Sequence, residues 1–244
     1  MRNPIIFYLL ILIIFASGCV QENELTNSNF ETKNEGLSDS SDITKEISED
    51  QNTEKELPYN LGITYFNYTK DGINYEFHLN TNLQPALDWI IEDIPKDARF
   101  LNWWDYGHMI RGYANKESVI YSPSEDIIWT ISSEKWDTKT GGEFSSKEKI
   151  EDVAQALSTT DPEITKAVME KYNSDYLFVS SSDSDKSYVI FTIAGLNISE
   201  YLVNYKPKEK ALGTVLFKAI NRERISGFEL VYEDADASIY QLIS

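Results

Sequence analysis

The chain has 244 residues, with 40 acidic against 22 basic side chains and a formal net charge of −18. A surplus of that size repels phosphate backbones and anionic bilayer faces, which excludes nucleic acid and docking on an anionic lipid surface. A single cysteine leaves nothing for a disulfide framework or a Cys-based metal site, so stability must come from the core.

Met1-Arg2-Asn3-Pro4 gives a short positive start, residues 5–15 are unbroken apolar, and Ala16-Ser17-Gly18-Cys19 closes the run with small residues. The run is short for a membrane span and suits the core of a signal peptide. A lone cysteine directly after it is similar to a lipobox, with Cys19 lipidated and residues 1–19 acting as leader; Ala16 stands where leucine is usual. The alternative is an uncleaved N-terminal anchor helix. Either places the chain on the outer face of the cell membrane.

Residues 20–56 hold eleven acidic and three basic side chains, one aromatic (Phe30) and no sustained apolar period. That composition predicts a disordered, self-repelling linker. Residues 57–244, with 29 acidic and 18 basic side chains, are expected to form one domain.

In that domain 63–68 and 73–79 alternate apolar and polar residues around Lys70-Asp71-Gly72, a hairpin signal. Pro85 opens a helix through 94, with Leu87, Ile90, Ile91 and Ile94 at helical spacing. Residues 99–103 read as a core strand, 106–114 as a helix after a loop, and 118–121 as a strand. The 124–142 stretch starts helical, with Trp129 and Trp136 as contacts, and ends at a Gly141-Gly142 turn. Ser145 with Glu148 predicts a capping box for a helix over 147–157. Asp161-Pro162 starts another, with Ile164, Val168 and Met169 inward.

Residues 175–180 and 187–194 read as strands, 199–205 and 213–220 as helices. Residues 228–232 and 238–243 pair around Glu233-Asp234-Ala235-Asp236. The alternation predicts an α/β fold: a mixed, largely parallel sheet flanked by helices, with an antiparallel hairpin at each end.

The candidate site is Trp103-Trp104-Asp105-Tyr106-Gly107. Indole and phenol rings give rigid apolar faces with one polar handle each, and Asp105 supplies an acceptor among them. A packed aromatic core with one satisfied aspartate would use the same residues. WWDYG, with Ala86-Leu87-Asp88-Trp89-Ile90 and Pro95-Lys96-Asp97-Ala98-Arg99 before it, resembles the soluble C-terminal domain of the oligosaccharyltransferase catalytic subunit, the archaeal AglB type. Tyr176-Leu177-Phe178-Val179 and Gly227-Phe228-Glu229-Leu230-Val231-Tyr232-Glu233 resemble later strands of that domain. Asp183, Lys186 and Ile190 stand at the spacing of its second motif.

The resemblance implies a pocket for the Ser or Thr of an Asn-X-Ser/Thr sequon. In it Asp105 accepts the hydroxyl, Trp103 and Trp104 exclude water, and Ile190 meets the threonine methyl. It implies no catalytic residue and no metal or other cofactor in this chain. The family's Mg or Mn and its lipid-linked glycan belong to a multi-spanning membrane domain. The partners implied are acceptor peptides or a multi-spanning glycosyltransferase subunit, with a structural surface protein as the plain alternative. His108 after the motif, far in sequence from His78, is expected to pack or hydrogen-bond, and Asp234 and Asp236 to end solvated elements. Two sequons, Asn67-Tyr68-Thr69 and Asn197-Ile198-Ser199, are about what chance gives.

Overall fold

A computed structural model describes residues 64–124 and 145–243. The leader with Cys19, the acidic linker, and the 125–144 stretch with Trp129, Trp136 and Gly141-Gly142 lie outside the described residues.

Strands β1 (Thr64–Lys70) and β2 (Ile73–Leu79) form the first hairpin, in register from Thr64 opposite Leu79 to Lys70 opposite Ile73. Asp71 and Gly72, both at positive φ, make its two-residue turn, whose twist matches the strands. Helix α1 (Gln84–Asp93) carries Pro85 in its first turn and buries Ala86, Leu87 and Ile90. Ile91, expected inward, lies on the exposed side.

Next come β3 (Arg99–Leu101), α2 (Trp104–Gly112) and β4 (Glu117–Ser118), the strands shorter than expected. Helices α3 (Lys147–Ser158) and α4 (Pro162–Lys171) follow and pack on each other. The cap of α3 is Ser146, not Ser145: its hydroxyl accepts from Lys149 N at 3.3 Å. Ser145 Oγ is engaged by the backbone N–H groups of Tyr121 and Ser122. Asp161 caps α4 as expected, but Ile164 is 44% exposed and the buried position beside it is Thr165, whose hydroxyl donates to Ala156 O.

After β5 (Tyr176–Ser180) the sequence reading fails in kind. Residues 187–194 are not a strand; α5 spans Asp183–Ile193. Its buried residues, Asp183, Ser187, Ile190 and Phe191, follow helical spacing. Tyr188-Val189-Ile190-Phe191 has strand-like propensity, and packing against α3 overrides it. Likewise the helix expected over 199–205 stops early: α6 (Ile198–Tyr201) gives way to a small hairpin of β6 (Leu202–Val203) and β7 (Lys206–Pro207). Helices α7 (Glu209–Leu212) and α8 (Val215–Ile220) lead to β8 (Phe228–Glu233) and β9 (Ala237–Leu242). In the turn between them Asp234 accepts from Asp236 N, Ala237 N and the Tyr232 hydroxyl, so its carboxylate closes the turn.

The central sheet has the order β4-β3-β5-β9-β8. Strand β3 runs parallel to β4 and β5, while β9 is antiparallel to β5 and β8, so the sheet is mixed, with helices packed against it. Every residue of β5 is buried, which suits its continuous apolar run and its place between two neighbours. Among the described residues no helix is long and apolar enough to cross a membrane.

Candidate functional site

Strands β3 and β5 are adjacent and parallel, so the segments leaving their carboxyl ends emerge on one edge of the sheet. In α/β sheets that edge is where ligand groups gather. Asn102 and Trp103 leave β3 and α2 begins at once, with no intervening loop; Trp103 is its N-cap. Ser181 and Ser182 leave β5 and deliver α5. The two motif segments, about 80 residues apart in the chain, thereby meet.

The meeting point is the Tyr106 hydroxyl. It donates to Asp183 Oδ1 at 2.6 Å and accepts from Lys186 Nζ at 2.6 Å, with Ser182 Oγ at 3.0 Å. Asp183 Oδ2 accepts from the Ser180 N–H at 3.0 Å. Lys186 Nζ lies 3.5 Å from both Asp183 Oδ1 and Asp105 Oδ1, and 4.4 Å from the centre of the Tyr106 ring. Burial pushes the Tyr106 hydroxyl and the Asp183 carboxyl well above their ordinary ranges, and the Asp183 charge adds to the first. Burial alone would lower Lys186, but Asp105, Tyr106 and Asp183 outweigh it and keep the ammonium charged.

Asp105 differs from Asp183. Its side chain is only 5% exposed, it sits in the first turn of α2, and its contact is Lys186 at 3.5 Å, too long for a good hydrogen bond. Among the described residues its carboxylate accepts no hydrogen bond, so its acceptor capacity is unspent.

The structure thus gathers Asp105, Tyr106, Asp183 and Lys186. Trp103 and Trp104 are 1% and 6% exposed, with ring centres 4.0 Å apart, so both indoles belong to the packed core. Ile190 shares the α5 face of Asp183 and Lys186 and is fully buried. Gly107 sits where α2 crosses the chain after β4: a Cβ there would stand 2.3 Å from Ile120 O and from Tyr121 Cα. Ser180 and Ser182 were missed in the sequence, although three serines before an aspartate signal a side-chain-bonded turn.

His108 faces the other way, under the β1–β2 hairpin, where its Nδ1 shares a 2.8 Å hydrogen bond with the Tyr68 hydroxyl, as expected for a packing residue. Burial, with the Arg111 charge second, lowers its pKa from 6.5 to about 3. Above pH 6.5 it is neutral folded and unfolded. As the pH falls towards 3 the unfolded chain takes up a proton that the folded chain refuses, so stability drops by about 1.4 kcal/mol per unit. At pH 4.5 the expected loss is about 2.7 kcal/mol relative to pH 7.5. Urea unfolding of wild type and His108→Gln at both pH values checks this. The stability gap should close on acidification, and an unchanged gap would assign the loss to other groups.

No family model matches the chain. The C-terminal globular domain of oligosaccharyltransferase from Archaeoglobus fulgidus superposes with a TM-score of 0.51 at 20% identity, covering 67% of this chain and 98% of that one. The chain therefore has the mixed α/β fold of that domain. A stretch of 39 residues is 38% identical to the dolichyl-diphosphooligosaccharide–protein glycosyltransferase subunit stt-3 of Caenorhabditis elegans. That stretch is 16% of this chain and 5% of the relative, so the chain spans only a small part of it.

Proposed function

We propose that this chain, with the fold of an oligosaccharyltransferase C-terminal domain, is a non-catalytic reader of the hydroxyl residue in Asn-X-Ser/Thr segments. The observation that carries this reading is the unspent Asp105 carboxylate, nearly buried and lying 3.5 Å from the Lys186 ammonium. An incoming Ser or Thr hydroxyl can donate to Asp105 and accept from Lys186. A peptide with alanine there leaves the carboxylate unpaired, which gives the site its discrimination. The motif match of Trp103-Trp104-Asp105-Tyr106-Gly107 with Asp183, Lys186 and Ile190 supports the same role, in connection with protein N-glycosylation.

The chain acts in this reading from the outer membrane face, held through lipidated Cys19 or the apolar run over 5–15. Its partner is a multi-spanning glycosyltransferase subunit that brings the glycan and the divalent metal. In this reading the chain's own part is recognition of the hydroxyl residue.

Titration of the full chain with labelled Asn-X-Thr and Asn-X-Ala peptides tests the reading. Binding to the threonine peptide with a Kd on the order of 1 mM is expected, weakened about tenfold or more by its alanine counterpart or by Asp105→Ala. Binding indifferent to both changes would overturn it.

A further inference from the structure

The last turn of α2 holds a buried cation with no counter-ion among the described residues. Arg111 is 9% exposed, and among the described residues its guanidinium makes no hydrogen bond and no ion pair; its Nη1 is wholly buried and unpartnered. The charge lies instead in a cage of tyrosine rings, 3.8 Å from the centre of Tyr121, 5.4 Å from Tyr75 and 5.8 Å from Tyr68. The nearby carboxylate whose charge it senses, Glu117, is held by Lys70. Cation–π contact offsets part of the cost of burying a guanidinium, but it satisfies none of the five N–H donors, which lie in the guanidinium plane. Buried donors of this kind are normally paired.

We propose that Arg111 in its tyrosine cage is a binding position for a carboxylate group. The planar fork of the guanidinium matches a carboxylate in two parallel hydrogen bonds, and the stacking on Tyr121 leaves its edge to serve them. Charge balance selects a monoanion: among the described residues Arg111 is one positive charge without an ion pair, His108 beside it is held neutral, and Lys70 is spent on Glu117. A phosphate dianion would remain half uncompensated. Tyr75 is buried but Tyr68 and Tyr121 are part-exposed, so the cage lies near the surface. The position is six residues along α2 from Asp105 and is independent of hydroxyl reading.

Thermal unfolding of the full chain in sodium acetate, against sodium chloride at matched ionic strength and against inorganic phosphate, tests the proposal. Acetate at about ten times its Kd should raise Tm by about 4 °C above the chloride control, and phosphate should do less. Arg111→Met, which fills the cage without charge, should fold and lose the acetate increment. An acetate increment equal in wild type and Arg111→Met, or absent from wild type, would overturn the proposal. A larger phosphate effect that needs Arg111 would overturn the choice of a carboxylate.

Discussion

Replacing Gly107 by alanine is expected to cost about 3 kcal/mol or more of folding stability, a large part of what a domain of this size has. The added Cβ would stand 2.3 Å from Ile120 O, 2.3 Å from Tyr121 Cα and 2.6 Å from Tyr121 Cβ. Two of those atoms are backbone on one side, and the helix backbone fixes the other side, so no side-chain rotation relieves the clash. Gly107 is in regular helix, where alanine alone would be favourable by about 1 kcal/mol; the predicted sign rests wholly on the crossing. Gly213→Ala is the control. Its Cβ would meet nothing nearer than Lys210 O at 3.6 Å and its φ is ordinary, so it should be neutral or slightly stabilising. Urea midpoints of the two variants decide the matter. A Gly107→Ala variant within 1 kcal/mol of wild type would mean that α2 moves freely off the 120–121 segment.

Asp183→Ala should cost a similar amount, about 3 kcal/mol, for a different reason. The change leaves the Tyr106 hydroxyl, the Ser180 N–H and half of the Lys186 charge without their acceptor. The loss stays at the lower end of the range for broken buried pairs because Asp105 still faces Lys186. Asp183→Asn keeps one acceptor for Tyr106 but turns an amide N–H towards the Ser180 N–H, so it should recover only part of the loss. Equilibrium unfolding of both variants checks the order wild type, Asn, Ala. An alanine variant as stable as wild type would show that Tyr106 and Lys186 do not depend on this carboxylate for their arrangement.

The sequence made some of this legible and hid the rest for physical reasons. Lys70-Asp71-Gly72 announced its hairpin because only a few residues take positive φ cheaply, and Asp161-Pro162 announced a helix start because cap and proline act locally. The second site segment was misread because Tyr188 to Ile193 favours a strand by propensity, and only packing against α3 makes it helical. Tyr106 as the hub was not legible. Its partners Ser182, Asp183 and Lys186 lie about 80 residues away, and no local pattern encodes which serine it meets. Asp105 and Asp183 are both aspartates of a motif. Only the structure separates the one that is spent from the one that is not.

The adjacency of β3 and β5 has a kinetic consequence. Phe100 pairs with Tyr176 and Leu101 with Leu177, so closing that ladder requires a loop of some 75 residues to form first. Loop closure of that length is paid before the contacts repay it, and chains dominated by such pairings fold slowly. Among the described residues the β3–β5 pairing is what brings the Asp105 and Lys186 segments to one sheet edge, so a molecule in which it has not formed carries both motifs and no assembled site. The proposed recognition should therefore switch on as a step, late in maturation, and a proteolytic cut between the two strands after folding should leave it intact for as long as the sheet stays paired.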